Sequence, residues 1–74
     1  MSGTEYQVML FKSVSHALLA EKTLKALGIP HKLIPVPRHI SSDCGVCLRF
    51  ISDDRGRIEQ ALAGTVSFEK IQPL

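Results

Sequence analysis

Two segments with helical spacing, each followed by a glycine, divide this 74-residue chain into short alternating elements. Apolar residues recur every three or four positions up to Gly28, and again up to Gly64. Ser13 or Ser15 can cap the first helix, and Ser52, Asp53 and Asp54 offer a cap for the second. Because glycine commonly follows the last helical turn, both helices are expected to be short.

Four short runs rich in apolar and β-forming residues flank these helices and are expected to be strands. They are Tyr6–Phe11, His31–Val36, Val46–Ile51 and the run around Val66 and Phe68. The order βαββαβ predicts an α+β, ferredoxin-like sandwich, an antiparallel sheet with two helices on one face. The other face would then be left for water, a partner or a second subunit.

The length limits the chain to a single domain, residues 1–74, with a thin core. Because apolar burial in so small a domain barely exceeds the ordering cost, a homodimer is one way to gain stability. The net charge of +2 is too small for a nucleic-acid interface. No apolar run approaches the roughly 20 residues that cross a membrane. The first residues lack a secretory pattern, so we expect a cytoplasmic protein.

The excess positive charge is concentrated around the two cysteines. Between residues 31 and 49 three basic side chains stand against one acidic side chain, and the rest of the chain is balanced. The basic residues are Lys32, Arg38 and Arg49, and the acidic residue is Asp43. Because positive neighbours favour the thiolate, a reactive cysteine in this segment is expected to have a pKa below the usual value of about 8.5.

Cys44 and Cys47 form a C-x-x-C pair, and the first interpretation of this pair is a redox disulfide. A disulfide needs Cα atoms within about 7 Å. An extended chain would separate these residues by roughly 10 Å, although Gly45 could provide a turn. Redox pairs of the thioredoxin type lie at a helix N-terminus, whereas this pair leads into a strand.

Metal binding is the second interpretation. Cys44, Cys47 and His39 could supply three ligands, and His31 or His16 a fourth. Closed zinc sites usually show two ligand pairs at recognisable spacings, and this chain shows one such pair. The sequence therefore predicts neither a bound metal nor another cofactor, with a Cys/His metal-binding protein kept as an alternative.

In the third interpretation the two cysteines differ. Cys44 lies in a loop with Ser41, Ser42 and Gly45, where backbone N–H groups can hold an anion. A thiolate there could accept a sulfur atom as a persulfide and pass it on by thiol exchange. Cys47 lies inside the third strand, either as a small buried hydrophobic residue or as a resolving thiol.

Three further residues are binding candidates in this region. Arg38 and Arg49 would supply positive charge, although Arg49 could equally project from a solvated sheet face. His39 could act as a base, but it is better explained as a loop residue bound to water. The chain shows no paired carboxylates, Ser-His-Asp set or glycine-rich phosphate loop. We therefore expect a protein that is not a stand-alone enzyme.

The segment 37–45, PRHISSDCG, followed by the strand residues 48–50, resembles the signature of the family described as "putative selenium/sulfur carrier protein-like". The preceding part of the chain is similar too, in the strand end at residues 10–12 and in the turn at Gly28 and Ile29. The resemblance covers nearly the whole chain and adds no domain at either end.

This resemblance implies a carrier that receives sulfur or selenium from a donor such as a cysteine desulfurase and delivers it to an acceptor protein. Cys44 would be the carrier thiol, and Cys47 lies outside the core of the motif. The loop around the thiol would be shaped by Arg38, Ser41, Ser42 and Gly45. The alternative from another class is a non-catalytic regulatory module whose basic loop binds an anion or a partner protein.

Overall fold

A four-stranded antiparallel sheet and two helices make up the part of the chain that the computed structural model describes, residues 5–40 and 45–74. The elements are β1 (Tyr6–Leu10), α1 (Val14–Ala26), β2 (Lys32–Pro35), β3 (Val46–Ile51), α2 (Arg55–Leu62) and β4 (Lys70–Pro73). A 3-10 turn, Ser52–Asp54, leads into α2. The strand order is β2-β3-β1-β4 with every neighbouring pair antiparallel. This confirms the predicted α+β fold of ferredoxin-like arrangement.

The first helix begins and ends where the sequence predicts. The Ser13 side chain accepts a hydrogen bond from the backbone N–H of His16 and so caps the first turn. After the last turn Gly28 adopts a φ of 72°, and the N–H of Ile29 then donates to the carbonyl of Leu24 at 3.0 Å. Glycine takes this left-handed conformation without steric cost, which explains why the helix stops here.

Both helices pack on one face of the sheet, which we call the helix face. The strands contribute Met9, Leu48 and Phe50 to the core there, and Phe11 adds its side chain directly after β1. The helices and the segments after them contribute Ala17, Ala20, Leu24, Ile29, Ile58, Leu62 and Val66. All of these residues are at least nine-tenths buried, so the helix face holds most of the apolar burial that stabilises the domain.

The opposite face, which we call the loop face, carries a smaller cluster. Val8, Leu10 and Cys47 are fully buried there together with Ile40, which comes from the connection between β2 and β3. The sequence predicted that this face is left for water, a partner or a second subunit. That prediction is wrong for the centre of the face, which Ile40 covers. The connection folds back and covers the strands because Ile40 buries its side chain on them.

The final strand lies later than the sequence predicts. Val66 and Phe68 pack against the helix-face core, but they belong to the segment before β4. The N–H of Val66 donates to the carbonyl of Leu62 at the end of α2, so it is not available to a sheet partner. Regular pairing with β1 starts at Lys70. The apolar alternation at Val66 and Phe68 therefore predicts the burial of these residues correctly but predicts their strand pairing incorrectly.

The start of α2 also differs from expectation. Asp54 precedes the helix but makes no side-chain capping bond. Its carboxylate instead accepts a hydrogen bond from Arg57 at 3.3 Å.

Across the described part of the chain, neither helix is long and apolar enough to span a membrane.

Candidate functional site

The connection between β2 and β3 carries the sequence motif, and its two ends are fixed to the sheet. The N–H of Val36 donates to the carbonyl of Gly45 at 3.1 Å, which joins the start of the connection to its end. Gly45 has a φ of 79°, in the left-handed region where other residues are strained. Glycine at this position therefore allows the chain to turn directly into β3.

Ile40 anchors the same connection from the inside. Its N–H donates to the carbonyl of Pro37 at 2.9 Å, which closes a tight turn. Its side chain is 6% exposed and packs in the cluster formed with Val8, Leu10 and Cys47. A buried isoleucine in an otherwise polar connection fixes the path of the backbone up to residue 40.

The proposed carrier thiol and its two serines lie between these anchors. Ser41, Ser42 and Cys44 fall in the segment 41–44, which is outside the residues that the structure describes. Their roles therefore stay predictions. The described flanks show that the segment is held at both ends, by Ile40 before it and by Gly45 after it.

Arg38 and His39 occupy the turn that leads to Ile40, and both are exposed to solvent. Neither forms an ion pair with any side chain among residues 5–40 and 45–74. An exposed positive charge next to the motif can attract an incoming anion or acidic partner.

Cys47 occupies a different environment from an exposed loop residue. It is fully buried on the loop face, where it pairs in register with Leu10 of β1 and Ile34 of β2. This burial agrees with the interpretation of Cys47 as a small hydrophobic residue. A role as a resolving thiol stays a prediction.

Arg49 also lies on the loop face, two residues beyond Cys47 along β3. Its guanidinium carbon lies 4.5 Å from the centroid of the Tyr6 ring, a cation–π contact. Arg49 lies four positions after Gly45, which is roughly 13 Å along an extended strand. The structure therefore places Arg49 toward the far end of the sheet from the motif loop.

A cavity of about 230 Å³ lies beside this arginine, and we call it the basic cavity. It is lined by Tyr6, Pro30, His31, Lys32, Arg49, Phe50 and Ile51. From the sequence, Lys32 was counted only as part of the basic excess around the cysteines, Arg49 was a binding candidate on the third strand, and Tyr6 was given no role in a site. Strand alternation and the strand order β2-β3-β1 would place Tyr6, Lys32 and Arg49 next to one another on one face of the sheet. This inference also needs the register of the strands, which the sequence does not show.

The histidines make local hydrogen bonds. His16 Nδ1 lies 2.8 Å from the Ser13 hydroxyl, and His31 Nδ1 lies 2.8 Å from the carbonyl oxygen of Ile29, to which it donates. Within residues 5–40 and 45–74, no group of three His, Cys, Asp or Glu side chains is arranged to hold a metal ion. A metal site that includes Cys44 stays untested, because Cys44 lies outside these ranges.

Comparison with known proteins adds one finding. The chain matches the family described as "Putative Se/S carrier protein-like" over residues 5–73. No curated protein and no solved structure matches the chain. The matched range contains every strand and helix of the fold as well as the motif connection.

Proposed function

The chain belongs to the family of Se/S carrier-like proteins, and we propose that it holds sulfur or selenium on Cys44 as a persulfide or perselenide. The observation that carries the proposal is the connection between β2 and β3. It is fixed at Ile40 and at Gly45, and the only residues between these anchors are the four that contain Cys44. Because only four residues connect the two anchors, the range of positions open to a carrier thiol between them is limited.

The loading step is a thiol exchange. The Cys44 thiolate attacks the terminal sulfur of a persulfide on the donor, and a new S–S bond forms at Cys44. The S–S bond of the donor breaks, and the donor leaves as a thiolate. Delivery repeats the same exchange with a thiolate of the acceptor, so sulfur is passed on with no external oxidant.

The residues near the motif have distinct proposed roles. Arg38, exposed in the turn before Ile40, favours the thiolate and guides the negatively charged donor group. Ser41, Ser42 and Gly45 shape the loop, and their backbone N–H groups stabilise the anionic sulfur. His39 is exposed beside Arg38, where it can hydrogen-bond to water.

The partners follow from this chemistry. The donor must hold sulfur in the persulfide state, as a cysteine desulfurase does, and the acceptor must present its own nucleophile. The protein contributes a transferable atom and a docking surface, and it does not act as a stand-alone enzyme. Such exchange requires a reduced thiol, which fits a cytoplasmic location.

Intact-mass spectrometry tests this proposal. The protein is incubated with a cysteine desulfurase and cysteine, and its mass is then measured without reductant. We expect a gain of about 32 Da, one sulfur atom, in the wild-type protein. The gain should disappear in Cys44→Ser and remain in Cys47→Ser.

The paired serine variants provide the control, because each removes one thiol and leaves the other. A wild-type protein that gains no mass, or a gain that depends on Cys47 alone, would contradict the proposal. Repeating the experiment with a selenium donor separates the two elements, since selenium adds about 79 Da in place of about 32 Da.

A further inference from the structure

The basic cavity is a second place on this molecule where a ligand could bind, apart from the motif loop. It lies where β1 begins, β2 begins and β3 ends, whereas the motif connection joins the opposite ends of β2 and β3. Its lining includes Arg49 on β3 and Lys32 on β2. The cavity therefore needs its own explanation.

The charges around the cavity are unbalanced. Lys32 and Arg49 stand directly opposite each other on neighbouring strands, and like charges in this position destabilise a sheet. None of the residues that line the cavity is acidic. Within the described ranges, neither Lys32 nor Arg49 forms an ion pair with a carboxylate. Among the residues that the structure describes, these two adjacent cations thus have no counterion.

Arg49 is also held in a fixed orientation. Its guanidinium group lies over the Tyr6 ring at 4.5 Å, and the side chain is partly buried. Stacking on an aromatic face leaves the N–H groups at the edge of the guanidinium plane available. These groups form the two parallel hydrogen bonds with which arginine binds phosphate or carboxylate.

His31 completes the set of polar groups. Its Nδ1 donates to the carbonyl of Ile29 at 2.8 Å, so Nε2 remains available for another partner. His31 lines the same cavity as Lys32 and Arg49. Three residues with nitrogen-bearing side chains, one on β3 and two around the start of β2, therefore line one cavity.

We propose that the basic cavity binds a small, doubly charged oxoanion of the phosphate class. Two cations without a counterion match two negative charges, and Arg49 can grip two oxygens while Lys32 contacts a third. The volume of about 230 Å³ is below the ~300 Å³ at which pockets for drug-sized ligands begin, so the occupant is small. This site involves neither cysteine and does not depend on sulfur transfer.

An NMR titration with inorganic phosphate at pH 7.5 tests the proposal, with sodium chloride at equal ionic strength as the reference. We expect saturable shifts of the backbone amides of Tyr6, Lys32 and Arg49. Arg49→Gln and Lys32→Gln should each weaken phosphate binding about tenfold or more, as the loss of a charge-assisted hydrogen bond predicts.

The matched control is Arg57→Gln, since Arg57 is exposed on α2 and hydrogen-bonds to Asp54 away from the cavity. It should bind phosphate as the wild-type protein does, and so should Cys44→Ser. The proposal is overturned if the shifts follow sodium chloride, fail to saturate or are equally weakened in Arg57→Gln. Shifts centred on Arg38 and Gly45 would also overturn it, because they would place the anion at the motif loop. The spectra themselves show whether each variant is folded.

Discussion

The two faces of the sheet are built differently. The helix face buries eleven residues drawn from the strands, both helices and the segments that follow them. The loop face buries four, Val8, Leu10, Ile40 and Cys47, and continues toward Arg49 and Lys32 as a polar, positively charged surface. The first face has the extent of a protein core, whereas the second is just large enough to attach one connection to the strands.

This difference separates stability from function. A helix-face side chain contacts the main core, so its loss is expected to lower the stability of the whole domain. Ile40 instead links the motif connection to the sheet, so its loss is expected to release that connection first.

Removal of a helix-face aromatic residue should have the largest effect. Phe11 is fully buried, and Phe11→Ala should lower the free energy of unfolding by about 3–5 kcal/mol. A domain of this size can lose most of its stability in this way. Urea unfolding measures the change, with Phe11→Leu as a milder variant in case the alanine variant does not fold. A loss below about 1 kcal/mol would show that the helix face is not the main core.

Truncation of Ile40 should cost less and act locally. Ile40→Ala should lower the free energy of unfolding by about 2 kcal/mol, the lower end for buried aliphatic side chains, because its cluster is small. It should also speed hydrogen exchange at the Val36 amide, which bonds to Gly45 across the connection. Ile40→Val provides the graded control. Equal acceleration at the Leu24 amide of α1 would indicate global unfolding and contradict the local role.

Two glycines should respond with opposite signs to the same substitution. Gly45→Ala should destabilise by about 1–2 kcal/mol because of its left-handed φ, since an added Cβ meets nothing within 4 Å. Gly56 is inside α2 and is equally uncrowded, so Gly56→Ala should stabilise by about 0.5–1 kcal/mol. Urea unfolding of both variants decides the matter. A Gly45→Ala variant that is as stable as the wild-type protein, or more stable, would rule out backbone strain at Gly45, and a destabilised Gly56→Ala variant would contradict the prediction for α2.

The contact between Tyr6 and Arg49 should give the smallest effect. A double-mutant cycle with Tyr6→Leu and Arg49→Gln should give a coupling free energy of about 0.5–1 kcal/mol, as expected for a partly exposed cation–π pair. Thermal or urea unfolding of the four proteins provides the values. Strictly additive losses would mean that the stacked geometry contributes nothing to stability.

Local sequence signals accounted for most of the fold. The third strand was predicted with its observed bounds, Val46–Ile51, because apolar residues at every second position, Val46, Leu48 and Phe50, indicate one face of a strand. Ser13 and Gly28 marked the ends of the first helix, since a cap and a left-handed turn depend only on neighbouring residues. The family itself was recognised from the motif connection and confirmed over residues 5–73.

Most of the errors and omissions involve contacts between distant parts of the chain. The cap of α2 is the exception, because the Asp54 carboxylate binds Arg57 three residues later instead of capping the helix. Val66 and Phe68 were taken for a strand because burial by a loop and burial by a strand give the same apolar pattern. The packing of Ile40 on the loop face and the stacking of Arg49 on Tyr6 depend on strand register. Register is set by pairing across the sheet, which single-sequence periodicity does not specify.

We propose that two cysteines three residues apart have different roles, Cys44 as the reactive thiol and Cys47 as part of the loop-face cluster. Alkylation of the native protein with iodoacetamide over a range of pH, followed by peptide mapping, measures both thiols at once. The account predicts rapid modification of Cys44, half-maximal below a pH of about 8.5, with Cys47 protected until urea unfolds the domain. Equal rates at the two cysteines, or a Cys44 that reacts only above that pH, would contradict it.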